Sequence, residues 1–80
     1  MESFDIYVTF TGGDRMKESH KESELREALT RLTQGPAAAG GLIREVKVVD
    51  ALDCTCFLSK YDDERRCHRV VFPPPPPRAA

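Results

Sequence analysis

Tryptophan is absent from this 80-residue chain, and so is an excess of either charge. Twelve Lys and Arg stand against thirteen Asp and Glu, a net charge of −1. A dedicated nucleic-acid binder draws much of its affinity from phosphate neutralisation and usually carries a basic excess. A protein imitating DNA as a whole would carry a large acidic one. On the overall balance, direct nucleic-acid binding is not expected. Long apolar runs are missing too: none approaches the roughly 20 residues that span a bilayer. The start, Met1-Glu2-Ser3-Phe4-Asp5, is acidic where an export signal is basic. Three cysteines, an odd number, do not make a secreted disulfide framework. The expectation is a cytoplasmic chain with no membrane contact and reduced thiols.

Catalytic motifs are equally scarce. His20 and His68 are the only histidines, and neither lies near a G-x-S-x-G nucleophile elbow. Gly12-Gly13 carries neither the P-loop nor the dinucleotide spacing. The carboxylates fall in turns and on a helix surface, where desolvation tunes acidity little. No catalytic residue and no cofactor are expected, and the chain reads as a non-enzymatic binder. Cys54-x-Cys56 with Cys67-His68 offers zinc-ligand types. The turn after Ser59, however, puts Cys67 opposite Ser59, more than ~10 Å along the strand from Cys54, and zinc needs convergence at ~2.0–2.3 Å. No metal is expected, and Cys54 and Cys56 read as small buried hydrophobes. Cys67 differs. Arg65, Arg66, His68 and Arg69 surround it, and cationic neighbours activate a thiol. It is a candidate for an intermolecular disulfide.

What is present is pattern. Phe4, Ile6, Val8 and Phe10 alternate with Asp5, Tyr7, Thr9 and Thr11, the period of a half-buried strand. Leu25, Ala28, Leu29 and Leu32 form one helical stripe, with Leu29 expected at its centre. Ser19 and Glu22 suggest a capping box before it, and Gly35-Pro36 a stop after it. Glu22 with Arg26 and Glu27 with Arg31 are candidate i,i+4 pairs. A small-residue linker, 36–41, leads to a strand from Leu42 to Val49. Cys54 to Ser59 reads as the next strand, with Cys54, Cys56 and Leu58 opposing Thr55 and Phe57, and Cys67 to Phe72 as the last. The expected fold is α+β, in the order β-α-β-β-β. One amphipathic helix would pack on one face of a four-stranded mixed sheet, with the second strand parallel to the first. Residues 1–72 form the single domain, and 73–80 a flexible polyproline tail in which Pro73-x-x-Pro76 satisfies a PxxP pattern.

The meander puts its turns at opposite ends of the sheet. Asp50 and Asp53 are expected at one end with Gly12-Gly13-Asp14, and Asp62, Asp63 and Glu64 at the other, near Glu2 and Asp5 and bordered by Arg44, Arg65, Arg66 and Arg69. These five carboxylates are the candidate partner-binding residues, suited to a basic surface. The face left bare by a single helix, with Tyr7, Val49, Phe57 and Val71 expected on it, suggests a homodimer.

The strand Phe4–Phe10, the helix with Leu25 to Leu32 and the hairpin Val46 to Leu58 resemble, in layout, the small single-domain anti-CRISPR proteins of phages and mobile elements, in particular the inhibitors of type I-C CRISPR–Cas systems. The resemblance implies binding to a protein subunit of the crRNA-guided surveillance complex, Cascade, in a host bacterial cell, and a block on target DNA recognition. The alternative is a nucleic-acid-binding or transcription-regulating α/β module using Lys and Arg on its sheet. A structural subunit of a phage or secretion assembly is a third reading.

Overall fold

The computed structural model describes residues 3–73. Its first strand, β1 (Ser3–Phe10), does not lead into a helix. Gly12 and Gly13, at φ +95° and +93°, turn the chain straight back. The amide of Phe10 donates to the carbonyl of Asp14 at 2.8 Å, closing a hairpin onto β2 (Arg15–Lys21). Its sequence, Arg-Met-Lys-Glu-Ser-His-Lys, has little strand propensity, yet charged residues are what an exposed sheet edge needs to resist pairing with other chains.

Helix α1 (Glu22–Gln34) follows directly. The expected capping box at Ser19 is displaced, because Ser19 lies within β2; instead the Glu24 carboxylate accepts the amide of Lys21 at 3.2 Å. The chain bends at Gly35 into a short second helix, α2 (Pro36–Ala39), where the sequence suggested only a linker. A side chain at position 35 would collide with the Arg31 carbonyl oxygen, so this bend requires glycine. Strands β3 (Ile43–Val49), β4 (Thr55–Asp62) and β5 (Cys67–Phe72) complete an antiparallel sheet in the order β2-β1-β3-β4-β5.

The expected four-stranded mixed sheet is thus corrected to five antiparallel strands. The cause is β2: it reverses the chain before the helix does, so β3 meets β1 antiparallel, with Ile6 opposite Val48 and Val8 opposite Val46. The same reversal exchanges the two acidic ends. Asp5 pairs with Val49, which puts Asp50 and Asp53 beside the start of β1. Glu45 pairs with Lys60, which puts Asp62, Asp63 and Glu64 at the Gly12-Gly13 end. Glu2 and the residues from Pro74 onward, including most of the polyproline tail, lie outside the described residues.

Ile6, Val8, Val46 and Val48 are completely buried under the helix, with Ala28 and Leu32 at 5% and 3% exposure. Leu25 and Leu29 pack at the rim, so the centre of the stripe is Ala28 and Leu32, not Leu29. The phase of β4 is also corrected. Phe57 and Ser59 pair with buried Val48 and Val46 and so face the helix, while Leu58, opposite Lys47, faces away; a bulge at Val48/Val49 breaks the register before them. All three cysteines are exposed, so Cys54 and Cys56 are not core hydrophobes, and Cys67 pairs with Asp62, not Ser59. No described helix is long and apolar enough to cross a membrane.

Candidate functional site

Residues directly opposite on antiparallel strands project to the same side, with Cβ atoms about 4.5–5.5 Å apart. Since Ile6 and Val8 point into the core, Asp5, Tyr7 and Thr9 point to the bare face, and the register carries the rest with them. One row across the sheet reads Lys17, Tyr7, Lys47, Leu58, Phe72. The next reads Arg15, Thr9, Glu45, Lys60, Arg69. Asp62 and Cys67 form a short third row. Tyr7, 41% exposed, therefore stands between two lysines, and Phe72, 43% exposed, shares its row three strands away. Tyr7, Thr9, Arg15, Glu45 and Lys47 line a shallow depression of about 320 Å³.

Charge on this face is lopsided. Its three carboxylates are engaged: Asp5 accepts from the Ser19 hydroxyl at 2.7 Å, Glu45 lies 4.0 Å from Lys60, and Asp62 accepts the amides of Glu64 and Arg65 at 2.9 and 3.2 Å. No described carboxylate comes within 4.0 Å of Arg15, Lys17, Lys47 or Arg69. With five cations and three anions the two rows and their margins carry +2, so a chain of −1 holds −3 elsewhere. Net charge concealed this separation. It was legible only with the correct strand phase, since Lys17 sits in the unforeseen β2.

The expected partner-binding carboxylates fare unevenly. Asp50 accepts the amides of Leu52 and Cys54 at 2.9 and 3.0 Å, which closes the β3–β4 turn, and Asp62 does the same for the β4–β5 turn. Asp63 is clamped by both terminal nitrogens of Arg44 at 3.0 and 2.8 Å, and this guanidinium holds its carboxyl below the usual range. Arg44 in turn lies over the Tyr61 ring, 4.8 Å from its centroid. Among the described residues only Asp53 and Glu64 of the five accept no hydrogen bond. The structure does not bring the two acidic turns together. Cys67 is exposed at the start of β5, beside Asp62.

Two polar clusters went unforeseen. On the helix side, Glu18 of β2 accepts from Arg31 at 2.7 Å and from His20 at 2.8 Å, joining the edge strand to α1. Arg31 therefore serves Glu18 instead of the expected Glu27, and no described Glu22–Arg26 pair forms. The other cluster is Ser59 with His68. His68 Nε2 donates to the Ile43 carbonyl at 2.8 Å, which leaves Nδ1 to accept the Ser59 hydroxyl at 3.0 Å. Ser59 is wholly buried, so this serine–histidine contact offers no reachable nucleophile. No group of metal-ligating side chains converges among the described residues.

No family model, curated protein or solved structure matches this chain.

Proposed function

We propose that the protein is a non-enzymatic nucleic-acid-binding module that works through its bare sheet face. The observation that carries this reading is the set Arg15, Lys17, Lys47 and Arg69, four cations with no described carboxylate in ion-pair range, the first three beside an exposed tyrosine and the fourth across the same face on β5. Local charge, not net charge, is what a polyanion meets at contact distance, because the Debye length is only about 8 Å at physiological salt. The acidic turns are less apt as a docking surface, since three of their five carboxylates already serve the protein's own amides and Arg44.

Binding to a labelled oligonucleotide should weaken steeply with salt. Four phosphate contacts give a log–log slope of about −3 to −4. Lys17→Glu with Lys47→Glu should remove binding while the circular dichroism spectrum is kept. A flat salt dependence, or full binding by that double variant, overturns the reading. In that case a protein partner, including the Cascade subunit implied by the family resemblance, becomes the reading to pursue, with Glu64→Lys as the probe.

A further inference from the structure

Resting on the nucleic-acid reading above, we infer that the ligand is a single strand laid across the sheet, with Tyr7 and Phe72 as base-stacking platforms. Three features of the bare face support this. The face is a sheet surface, and no described element rises from it that could enter a duplex groove, as major-groove readers do with a helix or β-ribbon. One of its rows carries both rings with cations beside and between them: Tyr7 flanked by Lys17 and Lys47, then Leu58, then Phe72. In a duplex the bases are stacked on one another and a ring must unstack them to enter, whereas an unpaired base offers a π-face to any aromatic side chain at no such cost. Both rings are more than two-fifths exposed, whereas Phe4 and Phe10 pack against the core beneath the helix.

The spacing fits. Tyr7 on β1 and Phe72 on β5 are three strand intervals apart, about 14 Å at 4.7–4.9 Å each. That is about four base steps at 3.4 Å per nucleotide, and fewer in an extended strand. Between them Lys47 and, in the adjacent row, Lys60 can follow the phosphates, with Arg15 and Arg69 at the two ends. The modest number of free cations suits a short footprint in which stacking supplies what charge does not. Leu58, between Lys47 and Phe72, gives an apolar floor for a base or sugar between the rings.

The test compares one mixed-sequence 12-mer as single-stranded DNA, as single-stranded RNA and as a blunt DNA duplex, by fluorescence anisotropy at 50 mM salt. The single strands should bind at least 10-fold tighter than the duplex. Tyr7→Ala should weaken strand binding by about 5- to 150-fold, the loss of one stacked base, while Tyr7→Phe keeps it within about twofold. Phe72→Ala should act in the same way and independently. Duplex binding should not respond to either. Equal or tighter duplex binding overturns the inference, and so does strand binding that survives both alanine variants. If Lys17→Glu with Lys47→Glu still abolishes binding in those cases, the nucleic-acid reading stands without stacking. If neither strand nor duplex binds the wild-type protein, the underlying reading falls with it. Comparison of the DNA and RNA strands reads whether a 2′-hydroxyl contributes.

Discussion

The Ser59 hydroxyl and the His68 ring meet at 3.0 Å in the covered layer of the sheet, and the Ile43 carbonyl at the ring's other nitrogen decides the histidine's tautomer. Because the Ile43 carbonyl can only accept, the proton sits on Nε2, and Ser59 donates to Nδ1. Burial is the main force holding the His68 pKa below the ordinary value near 6.5, with the Arg44 charge adding to it and the Ile43 bond opposing. A histidine whose folded pKa is depressed binds fewer protons folded than unfolded near pH 6. Stability is therefore complete above about pH 6.5 and falls as pH drops below it. Thermal melts across pH 5–8 should show that decline, and His68→Asn should flatten it. An undiminished decline in His68→Asn would assign it elsewhere. Ser59→Ala should cost about 1 kcal/mol by removing the donor to the part-buried Nδ1.

Leu32 is the helix residue to truncate. At 3% exposure, Leu32→Ala should destabilise by about 2–5 kcal/mol. At ~4–8 °C per kcal/mol for a domain of this size, the melting temperature should fall by at least about 8 °C. Leu29→Ala, at the rim, should cost clearly less. The opposite ranking, measured by urea titration, would mean the helix is rotated from the register described here.

Edge strand β2 depends on Glu18. The His20 bond is the largest influence holding its carboxyl below 4.5, with Arg31 adding and burial opposing. The contribution is present above about pH 4.5 and lost as pH falls through the lowered folded value. Arg31→Ala should raise hydrogen exchange at β2 amides more than at β3 amides, with a small change in global stability, because the pair is partly exposed.

The acidic turn at 63–66 separates into structural and free carboxylates. Asp62→Ala should cost about 0.5–2 kcal/mol, by analogy with the loss of a capping carboxylate, since it holds the amides of Glu64 and Arg65. Glu64→Lys should leave stability within about 0.5 kcal/mol. On the nucleic-acid reading it should leave affinity unchanged or slightly raised. A collapse of binding in Glu64→Lys would favour docking through this turn.

The elements rich in β-branched and apolar residues were legible without coordinates. β1, β3 and β5 fell where alternation placed them, and so did α1 to within a few residues. What failed was Arg15–Lys21, because an edge strand of mostly charged residues is stabilised by its neighbour's ladder and by one salt bridge, not by its own propensity. That single omission flipped the direction of β3, exchanged the acidic ends and hid Lys17 from the count of cations on the bare face. The phase of β4 failed for another reason. Buried Ser59 is tolerated only because His68, nine residues on, satisfies it, and no local pattern announces such a partner. Bulges, which break the two-residue period, are equally silent in sequence.

The order β2-β1-β3-β4-β5 has a consequence for how the molecule could be taken apart. Residues 3–34 supply a hairpin and α1, while 43–72 supply a three-stranded meander, and every strand pairing except β1 with β3 is closed by a short turn within one half. The halves therefore share a single ladder seam, with α1 as the clasp across it. The Gly40-Gly41 joint, where Gly41 takes φ +76°, tethers them without adding a strand. A chain nicked there keeps the hairpin and the meander each whole within one fragment. Its two fragments are expected to recombine in solution into the same sheet, at an affinity that measures the strength of the seam.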